Sequence, residues 1–276
     1  MGSLFPNNVD YLIFSVNQNH YGVHHDKVIS VMDLSKVTNV PHLPPEIRGV
    51  IPFRGDNIPL FDLRVSFGAI PRQTETKQLI ENMALRKQDH INWLNKLSQE
   101  VSDGLPISVQ TDPHLCAFGK WYDRFEPDNI NLKAHMARFD APHKQIHKVA
   151  VEAKKLVANG QTEAAKKLIS HANINILSRL IKLFDEIEGL IHKYLMEYVI
   201  VFDTGSQLFA AAVDDINTFC PLDNIEYPLP KGMSGAKRHS LIQAISHNSS
   251  QSEEILRSIL LLDMDKLLKI HPIVAG

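Results

Sequence analysis

Apolar positions along this chain follow two different periods. Over residues 10–70 the apolar runs are short and closely spaced, which predicts strands. Residues 11–16 form a β-rich run ending at Asn17-Gln18-Asn19, a turn signal, and Tyr21-Gly22-Val23 begins a returning strand. Residues 28–32 are a third run, and Pro41, Pro44 and Pro45 mark a loop. Gly49-Val50-Ile51 leads through Pro52-Phe53 to a turn at Arg54-Gly55-Asp56-Asn57. Residues 58–64 then read as a strand closed by Gly68, with Asp62 at a solvated strand end and the same reading left open for Arg64. From about Pro71 the period becomes 3.6 and stays helical to about Tyr198. Strands resume over 198–202, 208–213 and 259–263, followed by a short helical end over 264–269. Residues 228–235 and 251–254 read as loop.

The helical stretch has its own punctuation. Gly104-Leu105-Pro106 breaks it once, and Pro127-Asp128-Asn129 breaks it again with an N-cap before Ile130. Asn159-Gly160 ends the third long helix, and Thr162 is placed to cap the fourth. Leu132, Met136, Phe139, His143, Ile146, Ala150, Ala153 and Val157 recur at steps of three and four, as does Met83, His90, Leu94, Leu97 and Val101. Leu177, Leu180, Phe184, Ile187, Ile191 and Tyr194 line the fourth helix opposite a charged face. Pro142 falls within the third helix, so a kink just before His143 is expected.

Both inward stripes carry a histidine. His143 and His147 are four apart and share a helix face, and His90 lies on the other stripe. Cys116 sits between them in Cys-Ala-Phe-Gly-Lys-Trp. Three histidines and a cysteine are the donor set of a tetrahedral zinc site. A lone histidine on an apolar face is more often a satisfied core residue, so pattern alone leaves packed histidines and a metal centre both open.

Composition narrows the class. The chain has 276 residues, 44% hydrophobic and 22% charged, with a net charge of -2, so it shows no electrostatic footprint for nucleic acid. No apolar run reaches about 18 residues, and no signal peptide is read at the start, so a cytoplasmic protein without direct membrane insertion is expected. Two cysteines make no disulfide framework; Cys220 reads as a free thiol in a loop.

His90-x-x-Trp93, then Cys116-Ala117-Phe118-Gly119-Lys120-Trp121-Tyr122, then Pro142-His143-x-x-Ile146-His147 resembles the chemoreceptor zinc-binding (CZB) domain family. The resemblance implies zinc (Zn2+) held by His90, Cys116, His143 and His147 inside an antiparallel four-helix bundle, with His114 outside the ligand set. Gly49-Val50-Ile51-Pro52-Phe53-Arg54-Gly55, then Pro59 and Asp62-Leu63-Arg64, with Leu261-Leu262-Asp263 near the end, resembles the CheW coupling-protein family. That family usually has Asn where Pro52 stands and Gly near Ala244. The resemblance implies an α+β chain, a pair of small SH3-like β-barrels interrupted by the inserted bundle. The expected division is 1–71 and 197–276 for the CheW-like domain and 72–196 for the insert.

The implied partners are a CheA-type histidine kinase and methyl-accepting chemoreceptor tips, with Arg54 as the partner contact; a homodimer through the bundle is also allowed. Cys116 is the redox-sensitive candidate, since zinc-bound sulfur is held as thiolate and the family it resembles includes sensors of hypochlorous acid. The expectation is therefore an adaptor with an inserted zinc or oxidant sensor, not an enzyme. The alternatives are a zinc-dependent metalloenzyme, and a structural zinc that only stabilises the insert. Four donors would close a site that catalysis needs open, and no phosphate loop, nucleophile elbow or kinase signature is present.

Overall fold

The structure is a computed structural model, and it describes residues 5, 9–34, 36–127, 129–229, 241–247 and 258–270. Most of the loop expected over 228–235, and all of that over 251–254, lie outside the described residues. The chain divides into two compact units, Met1–Thr74 with Met196–Gly276, and Glu75–Leu195.

The first unit is built on two sheets. Its strands are β1 (Asp10–Val16), β2 (Asn19–His24), β3 (Val28–Asp33), β4 (Ile47–Phe53), β5 (Asp56–Asp62), β6 (Tyr198–Asp203), β7 (Leu208–Val213), β8 (Asp215–Pro221), β9 (Ile225–Glu226), β10 (Ile242–Ser246) and β11 (Ile259–Leu262). One sheet runs β8-β1-β2-β11-β10-β9, the other β3-β6-β7-β5-β4. Each contains one parallel pair, β2 with β11 and β5 with β7. Strands 1 and 6 are apolar without alternation because both faces are covered. Leu12 and Phe14 pack with Phe61, Phe202 and Phe209 between the sheets. Tyr11 and Ile13 face Ala244, Ile259 and Leu261, while Val199 and Val201 face Ile51, Leu60 and Ala210.

Both hairpin turns read from sequence have the backbone that a two-residue connection demands. Asn17 and Gln18 carry φ of 47° and 67°, and Arg54 and Gly55 carry 50° and 95°. Pro52 lies exposed in β4, an edge strand, where a missing N–H is tolerated.

Three readings change in this unit. The strand from Ile58 stops at Asp62, because the Asp62 carboxylate accepts the Val65 N–H and starts the helical turn α1 (Leu63–Ser66). Asp62 and Arg64 are not a solvated end; each is 2% exposed. Arg48 bonds Asp62 at 2.5 Å and Glu197 at 2.7 Å, and Arg64 bonds Asp214 at 2.5 Å. Arg72 joins Asp214 at 3.3 Å. Hydrophobic periodicity does not report buried ion pairs, so this pattern was invisible to it. Cys220 lies in β8 opposite Tyr11, and is buried rather than in a loop.

The second unit is helical: α2 (Arg72–Ser102, entering it at Glu75), α3 (Ala117–Tyr122), α4 (Ile130–Ala137), α5 (Asp140–Ala158), α6 (Thr162–Ala172) and α7 (Ser178–Tyr194). A short helix, α8 (Asp265–Ile270), belongs to the first unit. Asn129 caps α4 by accepting the N–H groups of Asn131 and Leu132. The two inward stripes are buried as expected, apart from half-buried Val157.

The third helix is interrupted not at Pro142 itself but four residues before it, where a proline ring obstructs the helical carbonyl. It is two helices parted at Arg138–Phe139, and Pro142 sits in the first turn of α5, where backbone N–H groups have no partner inside the helix anyway. Thr162 is the first residue of α6, whose cap residue is Gln161 and has no side-chain bond. A π-helical segment, Asn173–Leu177, separates α6 from α7. Its wider turn shifts the register by one residue, which a strict 3.6 period cannot anticipate.

Candidate metal centre

Three helices bring the four candidate side chains to one place. His90 comes from α2, Cys116 is the N-cap residue of α3, and His143 and His147 share a face of α5. One donor atom from each lies within 4.8 Å of all the others. Cys116 Sγ is 3.2 Å from His143 Nε2. The His90 and His143 ring centroids are 5.2 Å apart, and those of His143 and His147 are 4.8 Å apart. A tetrahedral ion with Zn–S of about 2.3 Å and Zn–N of about 2.1 Å holds its donors about 3.5 Å apart, so a small contraction completes the shell.

The hydrogen bonds fix which nitrogens face the centre. His90 Nδ1 is 2.7 Å from the Arg86 carbonyl, and His147 Nδ1 is 3.0 Å from the Gln110 carbonyl. A carbonyl only accepts, so both Nδ1 atoms carry the proton and both Nε2 atoms present a lone pair. The same Gln110 carbonyl accepts Trp93 Nε1–H at 2.9 Å, which ties His147 to the tryptophan three residues after His90. His90 Nε2 is buried and has no hydrogen-bond partner among the described residues. An orphaned lone pair in the middle of three other donors fits a metal ion, and this is the observation the donor set passes.

His135 is the contrast. It is buried in α4, its Nε2 lies 3.3 Å from the Leu183 carbonyl, and its Nδ1 lies 3.0 Å from Arg138. That is a satisfied core histidine, and the four-donor group does not include it.

The surroundings are aromatic. Phe118 meets His90 and His143 edge-on, and Phe139 and Phe184 close the same side. Burial pushes His143 down to about 3 and His147 down to about 4, and it lowers His90 as well. Neighbouring imidazoles add to this through mutual repulsion. Burial raises the Cys116 thiol, against the Gly119 and Phe118 backbone N–H groups that lower it. His114 stays outside, exposed and paired with Asp123 at 2.9 Å.

Sequence reasoning missed Arg86 and Gln110, because they act through backbone carbonyls that carry no residue signature. It also gave Gly119 no role. Arg54, the expected partner contact, is exposed at the β4–β5 turn of the first unit with its guanidinium 5.1 Å from the Phe53 ring.

Residues 90–154, which contain all four donors, match the family model of the chemoreceptor zinc-binding domain, and residues 10–82 match that of the CheW-like domain. The chain combines these two domains. Fifty-eight residues are 36% identical to the chemotaxis protein CheW of Klebsiella aerogenes, covering 21% of this chain and 35% of that one. The chain thus spans about a third of the length of that curated relative. Among solved structures, the scaffolding protein TtCheW from Thermoanaerobacter tengcongensis aligns over 93% of this chain and 89% of its own, at 13% identity and a TM-score of 0.42. No helix among the described residues is long and apolar enough to cross a membrane.

Proposed function

We propose that this chain is a cytoplasmic chemotaxis adaptor that couples a CheA-type histidine kinase to methyl-accepting chemoreceptor tips, with an inserted zinc site that senses zinc or oxidant. The observation that carries the reading is the partnerless His90 Nε2 among three other donors, inside a zinc-binding domain joined to a CheW-like one. We read the two sheets as small SH3-like barrels and the insert as an antiparallel four-helix bundle. His90, Cys116, His143 and His147 are the ligands in this reading, and Arg54 is a partner contact.

A zinc ion bound there would hold the Cys116 sulfur as thiolate. The chain's own residues supply the rest. Arg86 and Gln110 carbonyls hold two imidazoles in the ligating tautomer, and the aromatic wall excludes water. Four protein donors with no carboxylate among them leave neither an open position nor a base, which argues against a metalloenzyme. Hypochlorous acid would attack the Cys116 sulfur, the thiolate taking up oxygen and the proton to give sulfenic acid while chloride leaves. Cys116 is only half-buried, which gives the oxidant access.

Metal analysis of the purified full chain tests the first part. About one zinc per chain is expected, and His143→Ala should lose most of it. A His143→Ala protein with full zinc would remove the proposed ligand set. Kinase and receptor pull-downs with and without zinc test the coupling; equal binding in both states would leave a structural zinc.

A further inference from the structure

Asp214 holds the residue at which α2 begins. Its side chain is buried, and three donors converge on one carboxylate oxygen, Oδ2: Arg64 Nη1 at 2.5 Å, the Asn17 backbone N–H at 2.8 Å and Arg72 Nη2 at 3.3 Å. The other oxygen, Oδ1, is buried with no hydrogen-bond partner among the described residues. A buried carboxylate oxygen without a donor is costly, and it offers a second place to which a donor can move. Arg72 makes the longest of the three contacts.

Arg72 is the first residue of α2, and it belongs to the first unit. The helix runs unbroken to Ser102 and carries His90 eighteen residues on, about 27 Å along its axis. The donors of the metal centre lie within 4.8 Å of one another, and a tetrahedral zinc ion needs them about 3.5 Å apart. Binding therefore draws His90, and α2 with it, toward the other ligands. A helix moves as a rigid element over about five turns, so the pull reaches Arg72.

Where the chain returns from the helical unit it is fixed differently. Glu197 is buried, and its two carboxylate oxygens take Arg48 Nη1 at 2.9 Å and Nη2 at 2.7 Å. Its backbone carbonyl accepts the Leu34 N–H at 3.1 Å. Arg48 also bonds Asp62, two residues before Arg64. Both ends of the insert are thus tied to one turn, Asp62–Ser66, the return by a carboxylate with both oxygens engaged and the entry by one with an oxygen to spare.

We propose that Asp214 is the switch through which zinc binding reaches the CheW-like unit. Arg72 has two resting places on it, Oδ2 as seen and the open Oδ1, and zinc pulling on α2 shifts it from the first to the second. The switch rests on the zinc-binding reading above and adds how the metal is felt outside its own unit.

The Asn17 N–H is bonded to Oδ2, so its hydrogen exchange reports on the switch directly. Exchange in the full chain, followed by NMR, is compared after removal of zinc by a chelator and after one equivalent of Zn2+ is restored. The Asn17 rate should change about fivefold or more, while that of the Gly205 N–H, held by Asp203 in another turn, stays constant. Arg72→Met should abolish the zinc dependence at Asn17. By reciprocity it should also tighten zinc binding about fivefold or more, because the hold on Oδ2 that the pull must overcome is gone. Lys77→Ala, exposed on the same helix, should leave both as in the wild type. Full zinc uptake with an unchanged Asn17 amide overturns the switch and leaves the metal centre standing, as does wild-type zinc affinity in Arg72→Met. A chain that takes up no zinc overturns both. Should Arg72→Met fail to fold, the wild-type comparison decides alone.

Discussion

A β-carbon built on Gly119 would stand 1.8 Å from the carbonyl oxygen of Pro113. The start of α3 therefore lies directly against the 113–114 backbone, and only glycine permits it. The same closeness delivers the Gly119 N–H to Cys116 Sγ at 3.1 Å and leaves the sulfur 3.3 Å from the Pro113 carbonyl. Gly119→Ala must push the loop away from the helix and the sulfur away from the histidines. The expected cost is about 1–3 kcal/mol of stability in the helical unit. Zinc affinity should fall about tenfold or more, read by competition with a metal-binding dye. Unaltered affinity would show that the close approach does not position the cysteine.

Proton release on metal binding follows from the perturbed donors. In the metal-free protein, burial holds His143 and His147 below their usual range, so both are neutral at pH 7. Burial holds the Cys116 thiol above its usual range, so it is protonated. Zinc should therefore displace about one proton per chain, from Cys116 and none from histidine. Calorimetry in buffers of different ionisation enthalpy measures this. Release of two or more protons would place a charged imidazole in the site.

The same shifts set the acid limb of stability. The unfolded chain takes up protons on these histidines near about pH 6.5, while the folded, metal-free chain resists until about 3–4. Stability contributed by the neutral rings is complete above the unfolded value and is lost as pH falls toward the folded one. Denaturant midpoints of the metal-free protein should drop steadily from pH 7 to pH 4. A flat profile would mean the rings are more solvated than the fold indicates.

Arg64 and Asp214 form an ion pair with side chains 3% and 5% exposed. Asp214→Ala removes the buried carboxylate that Arg64 and Arg72 share. A loss of about 3–5 kcal/mol is expected in the first unit's denaturation curve. Lys87→Ala removes only a surface pair with Asp185 and should cost less than about 1 kcal/mol. Equal costs for the two would contradict the burial of the first pair.

Arg54 has φ of 50°, a conformation that costs a non-glycine residue about 1 kcal/mol. It is exposed, so packing does not account for its presence. The conformation is the one a two-residue hairpin connection demands, as at Asn17 and Gln18, and does not require an arginine. Arg54→Asn relaxes the backbone and should stabilise the first unit slightly, while weakening pull-down of the kinase or receptor tip. Full binding by Arg54→Asn and Arg54→Glu alike would exclude Arg54 from the interface.

Periodicity by itself determined which faces turn inward. His90 and His143 fall on buried stripes because a helix repeats every 3.6 residues, and the apolar neighbours on those stripes have nowhere else to go. Turns near Asn17 and Arg54 were also legible, since polar and glycine residues separate the β-rich runs, but their two-residue length was not: Asn19, Asp56 and Asn57, read as turn, belong to strands. Tertiary structure decided the rest. The tautomers of His90 and His147 depend on the carbonyls of Arg86 and Gln110, and a carbonyl is the same in every residue. The burial of Asp62, Arg64 and Asp214 depends on opposite charges meeting across long stretches of chain, 150 residues for Arg64 and Asp214. The split of the third helix at Arg138 lies four residues before Pro142, where a proline ring obstructs the helical carbonyl, so it has a local cause; the π-helical segment at Asn173–Leu177 carries no such signal in the sequence.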